Sequence, residues 1–181
     1  MKIRKTTMSD LPVVMEIYAQ GREYMRKTGN PDQWKNNHPP EELIVQDIQA
    51  KSSYCCVVDT GSGEAEEILA VFYFAVEEDP TYAKIQGQWL NDSTYGVVHR
   101  IARGYNANAG AGCGANAGAG SGVKSVAAFC IDWCFDQHPN VRIDTHKDNG
   151  PMLRLLERLG FSYCGIIWLA SGDERMAFQK V

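Results

Sequence analysis

The stretch from Val126 to Phe161 constrains the fold most, because its apolar residues change period twice between clear stop signals. Val126, Phe129, Cys130, Trp133 and Cys134 recur at helical spacing, Pro139-Asn140 ends that run, and Val141 to Thr145 is a short β-branched segment. Asn149-Gly150-Pro151 then opens a second helix, which carries Met152, Leu155, Leu156 and Leu159 on one face and closes at Gly160 in the C′ position. Preceded by a strand at about Tyr95 to Arg103, this is a β-α-β unit, and the two strands of such a unit lie parallel.

The remainder adds strands that pair locally. KIRKT reads as a first strand, and Ser9 as the N-cap of a helix whose Leu11, Val14, Met15 and Tyr18 share a face, with Pro12 in its first turn. A second helix runs from about Glu41 to Ala50, with Ile44 and Ile48 on one side. A hairpin follows: Tyr54 to Asp59, a turn at Thr60-Gly61-Ser62-Gly63, and the apolar run Ile68 to Val76. Strands Phe161 to Leu169 and Arg175 to Gln179 end the chain. Hairpins mixed with one crossover predict an α/β (α+β) fold, a mixed central sheet flanked by helices on both faces. At 181 residues the chain is expected to form a single domain, 1–181.

Charge and composition exclude several function classes. A net charge of -4 with scattered Lys and Arg provides no basic stripe for nucleic acid. The N-terminus lacks the apolar run of a signal peptide, and no segment approaches the ~20 apolar residues that span a bilayer, so a cytoplasmic protein is expected. The six cysteines show no paired C-x-x-C spacing, which predicts buried reduced thiols and no metal site.

The order of elements resembles that of the Gcn5-related N-acetyltransferases, whose signature helix opens with Asn and finishes Leu-Gly-Phe. Here that helix reads Asn149-Gly150-Pro151-Met152-Leu153-Arg154-Leu155-Leu156-Glu157-Arg158-Leu159-Gly160-Phe161. Pro31-Asp32-Gln33-Trp34, Asp79-Pro80-Thr81-Tyr82 and His99-Arg100-Ile101-Ala102 are similar to a bacterial branch of the family. The resemblance implies the acyl-CoA N-acyltransferase fold, acetyl-CoA as co-substrate and a small amine or peptide amine as acceptor. Assembly as a homodimer is left open.

The resemblance also implies where coenzyme A sits. The family's diphosphate loop, Gln/Arg-x-x-Gly-x-Gly/Ala, falls on Gly122 to Ala127, where only Ala127 matches cleanly. Such a loop works through backbone N–H groups at a helix N-terminus, so Lys124, Ser125, Val126, Ala127 and Ala128 are the expected contacts. The strand from Val97 to Arg103 is implied to splay from Val141 to Thr145, leaving backbone at Ile101, Ala102 and Arg103 for pantetheine, with an oxyanion donor near Ile101. Asn149 reaches the same arm in this reading, and caps its helix in the plainer one.

Gly104 to Ser121, nearly all Gly, Ala and Asn, looks like an insertion between strand and helix. It has no large apolar group to offset its ordering entropy, which predicts a mobile loop. Its relaxed G-x-G-x-x-A matches arise from low complexity, since a dinucleotide site needs a tight β-α turn.

For the chemistry, His99 is the candidate base, because it lies on the strand expected to line the cleft; a hydrogen-bonded sheet histidine is the plainer alternative. The family's thiolate-protonating Tyr corresponds to Leu156 here, and Tyr163 substitutes only if it faces the cleft. Asp79, Tyr82 and Trp89 are candidates for the acceptor pocket, or ordinary loop anchors. The alternative to an N-acetyltransferase is a noncatalytic acyl-CoA-binding or interaction module on the same fold.

Overall fold

A computed structural model of the chain describes residues 1–59, 66–104 and 125–181. The strands are β1 (Lys2–Lys5), β2 (Ser53–Val58), β3 (Glu67–Val76), β4 (Ile85–Gly87), β5 (Gly96–Arg103), β6 (Val141–Thr145), β7 (Ser162–Trp168) and β8 (Glu174–Lys180). The helices are α1 (Leu11–Lys27), α2 (Glu41–Gln49), α3 (Val126–Gln137) and α4 (Gly150–Arg158), with 3-10 turns at Met8–Asp10 and Pro80–Tyr82. All strands join one sheet in the order β1-β2-β3-β5-β6-β8-β7-β4. Every neighbouring pair is antiparallel except β5 and β6, the pair bridged by the crossover through α3.

Strand alternation sends successive side chains to opposite faces, and each face is covered by helices. Cys55, Val57, Val71 and Ala102 meet Val14, Ile17 and Tyr18 of α1 and Ile44 and Ile48 of α2. Cys56, Ala70, Phe72, Phe74, Val98 and Ile143 meet Cys130, Ile131 and Cys134 of α3 and Leu155 and Leu156 of α4. The expected mixed sheet between helical layers is therefore present. Cys55, Cys56, Cys130, Cys134 and Cys164 are buried free thiols.

Two local expectations change. Ser9 does not cap α1; the chain instead makes a 3-10 turn in which the Asp10 carboxylate accepts the Thr7 N–H at 2.8 Å and the Thr7 hydroxyl at 2.8 Å. Arg4 makes this geometry the better one, because its guanidinium donates to both Asp10 oxygens, at 2.8 and 3.0 Å. The second change is β4, a three-residue strand that the sequence pattern did not predict. Gly87 and Gly165 face each other across it with φ of 139° and 143°, so close that a Cβ on Gly165 would stand 2.2 Å from the Gln86 carbonyl oxygen.

The Asp10 pair provides a test by pH. The Arg4 guanidinium, with help from Thr7 and against the opposing effect of burial, holds the Asp10 carboxyl at about 2, below its ordinary 3.8. A folded pKa below the unfolded one contributes stability that is complete above the unfolded value and is lost as pH falls through the folded one. Asp10→Asn is therefore expected to remove about 2 kcal/mol at pH 7 and almost nothing near pH 2. Denaturant titrations of both proteins across that range check it.

Candidate active site

The register between β5 and β6 covers only Gly96–Val141, Val97–Arg142 and Val98–Ile143, although β5 continues to Arg103 and β6 to Thr145. Beyond Val98 and Ile143 the strands part, leaving the inner edge of β5 without a strand partner among the described residues. A β-bulge marks the place. On β3, Tyr73 pairs with His99 and Val71 with Ala102, so Phe72 alone stands opposite both Arg100 and Ile101. Arg100 adopts left-handed backbone, with φ 51°. A bulge bends its strand and increases its twist, which turns β5 away from β6.

The bulge also interrupts side-chain alternation. Ile101 packs on the α3 side and Ala102 on the α1 side. His99 and Arg100, consecutive in sequence, both contact the Tyr73 ring, at 5.8 Å between ring centroids and at 4.7 Å for the guanidinium carbon. Arg100 continues to α2, where its Nε and one terminal nitrogen donate to Asp47 Oδ2 at 3.1 and 2.7 Å. Asp47 is buried, and that burial pushes its carboxyl pKa up against the pull of Arg100.

His99 stands in the mouth of the opening between two carboxyl groups. Its Nε2 lies 2.7 Å from Asp79 Oδ2, and its Nδ1 lies 3.6 Å from Asp144 Oδ1. Burial raises the Asp79 pKa, but hydrogen bonds from His99 and Thr81 outweigh it and hold the group at about 2. An ionised Asp79 can only accept, so Nε2 is the protonated nitrogen of the neutral ring. Nδ1 then keeps its lone pair and, beyond hydrogen-bond reach of Asp144, is open to take a proton. Tyr82 Oη donates to Asp144 Oδ1 at 2.8 Å, and Trp89 Nε1 donates to the Tyr82 carbonyl at 3.1 Å. Burial and the neighbouring Asp144 push the Tyr82 pKa far up, so Tyr82 remains a donor. Asp79, Asp144 and Tyr82 thus surround His99, with Trp89 behind Tyr82.

The expected coenzyme A contacts are distributed around the same opening. Ala102 is buried and Ile101 and Arg103 are partly exposed on the parted stretch of β5. α3 starts at Val126, and Ser125 caps it by accepting the Ala128 N–H on Oγ at 3.2 Å. Val126 and Ala128 are buried and Ala127 is half-buried at this helix start. Lys124, the tract to Ser121 and the turn at Thr60-Gly63 lie outside the described residues, apart from Gly104. Asn149 caps α4, its Oδ1 accepting the Met152 N–H at 3.2 Å, and its Nδ2 donates to Gln33 Oε1 at 2.8 Å.

Tyr163 is not brought to this group. It is 54% exposed on β7, packed edge-on against Phe178, and β8 lies between it and β6. Leu156 is fully buried in the core on the α3 side. Three residues of the opening escaped the sequence reading. Asp144 looked like an ordinary polar position of an alternating strand. Gln33 had its segment singled out but no contact assigned, and Arg175 passed as the first residue of the last strand.

No protein-family model matches the chain, and no curated protein matches it. Solved structures do. A GNAT-family acetyltransferase from Streptococcus agalactiae 2603 is 27% identical, with a TM-score of 0.79, covering 99% of this chain and 94% of its own. The ribosomal-protein-S18-alanine N-acetyltransferase from Escherichia coli is 14% identical with a TM-score of 0.55, over 99% of this chain and 92% of that one. The NatC complex bound to Gag peptide and CoA contains a chain 12% identical with a TM-score of 0.54, over 99% and 98%. The chain thus shares its fold, over nearly its whole length, with solved acetyltransferases of the GNAT family.

Proposed function

We propose that the protein transfers an acetyl group from acetyl-CoA to a primary amine, acting as one domain over its whole length. The observation that carries this reading is the opening between β5 and β6 with His99 held at its mouth by Asp79. The residues present suit the co-substrate: among the described residues, the five of β5 from His99 to Arg103 have no strand partner on the β6 side, as a strand-like amide arm requires. The NatC structure, which contains CoA, supports the same choice. Acetyl-CoA supplies an activated thioester, from which the amine displaces the thiolate.

The protein's part is to align the amine and remove its proton. An amine with pKa ~10 requires about 4 kcal/mol to deprotonate at pH 7. His99 Nδ1 accepts that proton as the new C–N bond forms, and the resulting imidazolium is stabilised by Asp79 on one side and the Asp144 carboxyl on the other. The backbone near Ile101, exposed by the bulge, is the proposed donor to the developing oxyanion. The thiolate, with a pKa near 8.5, leaves without Tyr163.

One observation favours a noncatalytic acyl-CoA-binding module: Leu156 occupies the place of the family's Tyr and is fully buried. Calorimetric titration with acetyl-CoA, followed by thiol release across an amine panel, separates the two. Saturable binding with amine-dependent thiol release is expected. Binding without turnover on any amine would leave the module, and absence of binding would overturn both.

A further inference from the structure

The geometry points to an acceptor that carries a carboxylate as well as its amine, with Arg175 as the anchor for that carboxylate; we propose this as a property of the acetyl-transfer site just described, and it rests on that reading. Among the described residues two arginines are buried, Arg142 and Arg175, and Arg100 is largely shielded; Arg100 and Arg142 have evident partners. Arg100 pairs with Asp47, and Arg142 lies between the Trp89 and Tyr95 rings, at 4.2 and 3.8 Å. Arg175 is as buried as Arg142, at 5% exposed, yet its partners among the described residues are two main-chain carbonyls, Glu174 O at 2.9 Å and Gln33 O at 3.3 Å. No carboxylate of the described residues lies within ion-pair distance of it.

A guanidinium taken out of water with no carboxylate in direct contact, only the longer-range attraction of Asp144 and Asp173, is costly, and it presents unused donors in a fork that matches a carboxylate. Arg175 borders a cavity of about 370 Å³ together with His146, Lys147, Ile166, Asp173 and Met176. Glu174 and Gly172 complete its rim. The acidic Asp173 is already committed, accepting from Lys35 at 2.7 Å and from Ser171 at 2.7 Å. Lys147 adds a cation to the rim, while burial and the nearby Arg175 push the His146 pKa down.

The cavity is placed for the reaction by the register of β6 and β8. Asp144 pairs with Ala177, so Arg175, two residues along the same strand, is on the same face as Asp144 and diagonal to it. Such diagonal neighbours stand roughly 7–8 Å apart at their Cα atoms, within reach of a long side chain. An amine delivered to His99 and Asp144 therefore has Arg175 within the length of a small amino acid. The Gln33 carbonyl on Arg175 and the Gln33 side chain on Asn149 tie the α1–α2 connection across this corner.

The test uses matched acceptors, amino acids and the amines left by their decarboxylation, such as lysine and cadaverine. Wild-type protein is expected to favour the best amino acid over its decarboxylated partner by about 10–100-fold in kcat/KM, the value of a charge-assisted hydrogen-bond pair. In Arg175→Gln that ratio falls towards one, chiefly through KM, and Arg175→Lys recovers part of it. Circular dichroism and thermal melting establish that each variant is folded. Ligand-induced thermal shift with the same compounds provides a readout independent of turnover. Stabilisation by an amino acid that disappears in Arg175→Gln supports the anchor even if acetyl transfer itself fails. A ratio near one in the wild type, or no amino acid that stabilises it, overturns the proposal.

Discussion

His99→Ala is expected to lower kcat for acetyl transfer by about 10²–10⁴-fold, with little effect on acetyl-CoA affinity. The ring is held at Nε2 by an ionised Asp79 at 2.7 Å, so the neutral ring has one orientation and one tautomer to present to the amine. Alanine removes the acceptor and leaves Asp79 with Thr81 as its remaining partner. Asp79→Asn separates the two functions of the dyad. An amide can present either a donor or an acceptor to Nε2, so the ring loses its enforced tautomer while remaining in place. An intermediate loss in kcat is expected, and steady-state kinetics with saturating acetyl-CoA measures both. Equal activity of His99→Ala and wild type would assign the proton to another group.

The largest expected effect on stability comes from Asp47→Ala, which leaves the Arg100 guanidinium inside the protein without its carboxylate. The pair is well shielded, with side-chain exposures of 14% for Arg100 and 9% for Asp47. Breaking such a pair from one side costs about 3–5 kcal/mol, whereas replacing both members by apolar side chains of similar volume is often neutral. The double variant Asp47→Leu/Arg100→Met is accordingly expected to be more stable than Asp47→Ala alone. Chemical denaturation of the three proteins provides the comparison. Because Arg100 sits in the bulge at φ 51°, loss of the pair also releases the segment that parts β5 from β6. Weaker acetyl-CoA binding should accompany the loss of stability, and a destabilised variant with unchanged affinity would show that the bulge holds without Asp47.

Much of the fold was legible because its signals are local. The helical spacing of Val126 to Cys134, the Pro139-Asn140 stop and the Asn149 and Gly160 boundaries each act within a few residues, and α3, β6 and α4 follow them closely. His99 could be singled out for the same reason, as an imidazole on a predicted central strand. Asp144 could not. An acidic residue in an alternating strand ordinarily reads as solvent-facing, and only the pairing of β6 beside β5 sets it near His99. The bulge left no mark either, since its left-handed position is filled by Arg100 where glycine would have been the usual sign.

The sequence by itself thus determined the order and identity of the main elements, the parallel β5–β6 pair, the two helical layers and the helix that carries the family's signature. These depend on hydrophobic period, capping and turn chemistry, which the chain expresses segment by segment. The tertiary structure alone decided that the parallel pairing stops after Val98 and Ile143, that Asp79 and Asp144 flank one imidazole, and that Arg175 is buried with no ion-paired carboxylate among the described residues. Those features arise from register and desolvation between segments remote in sequence, and neither exists until the sheet has formed.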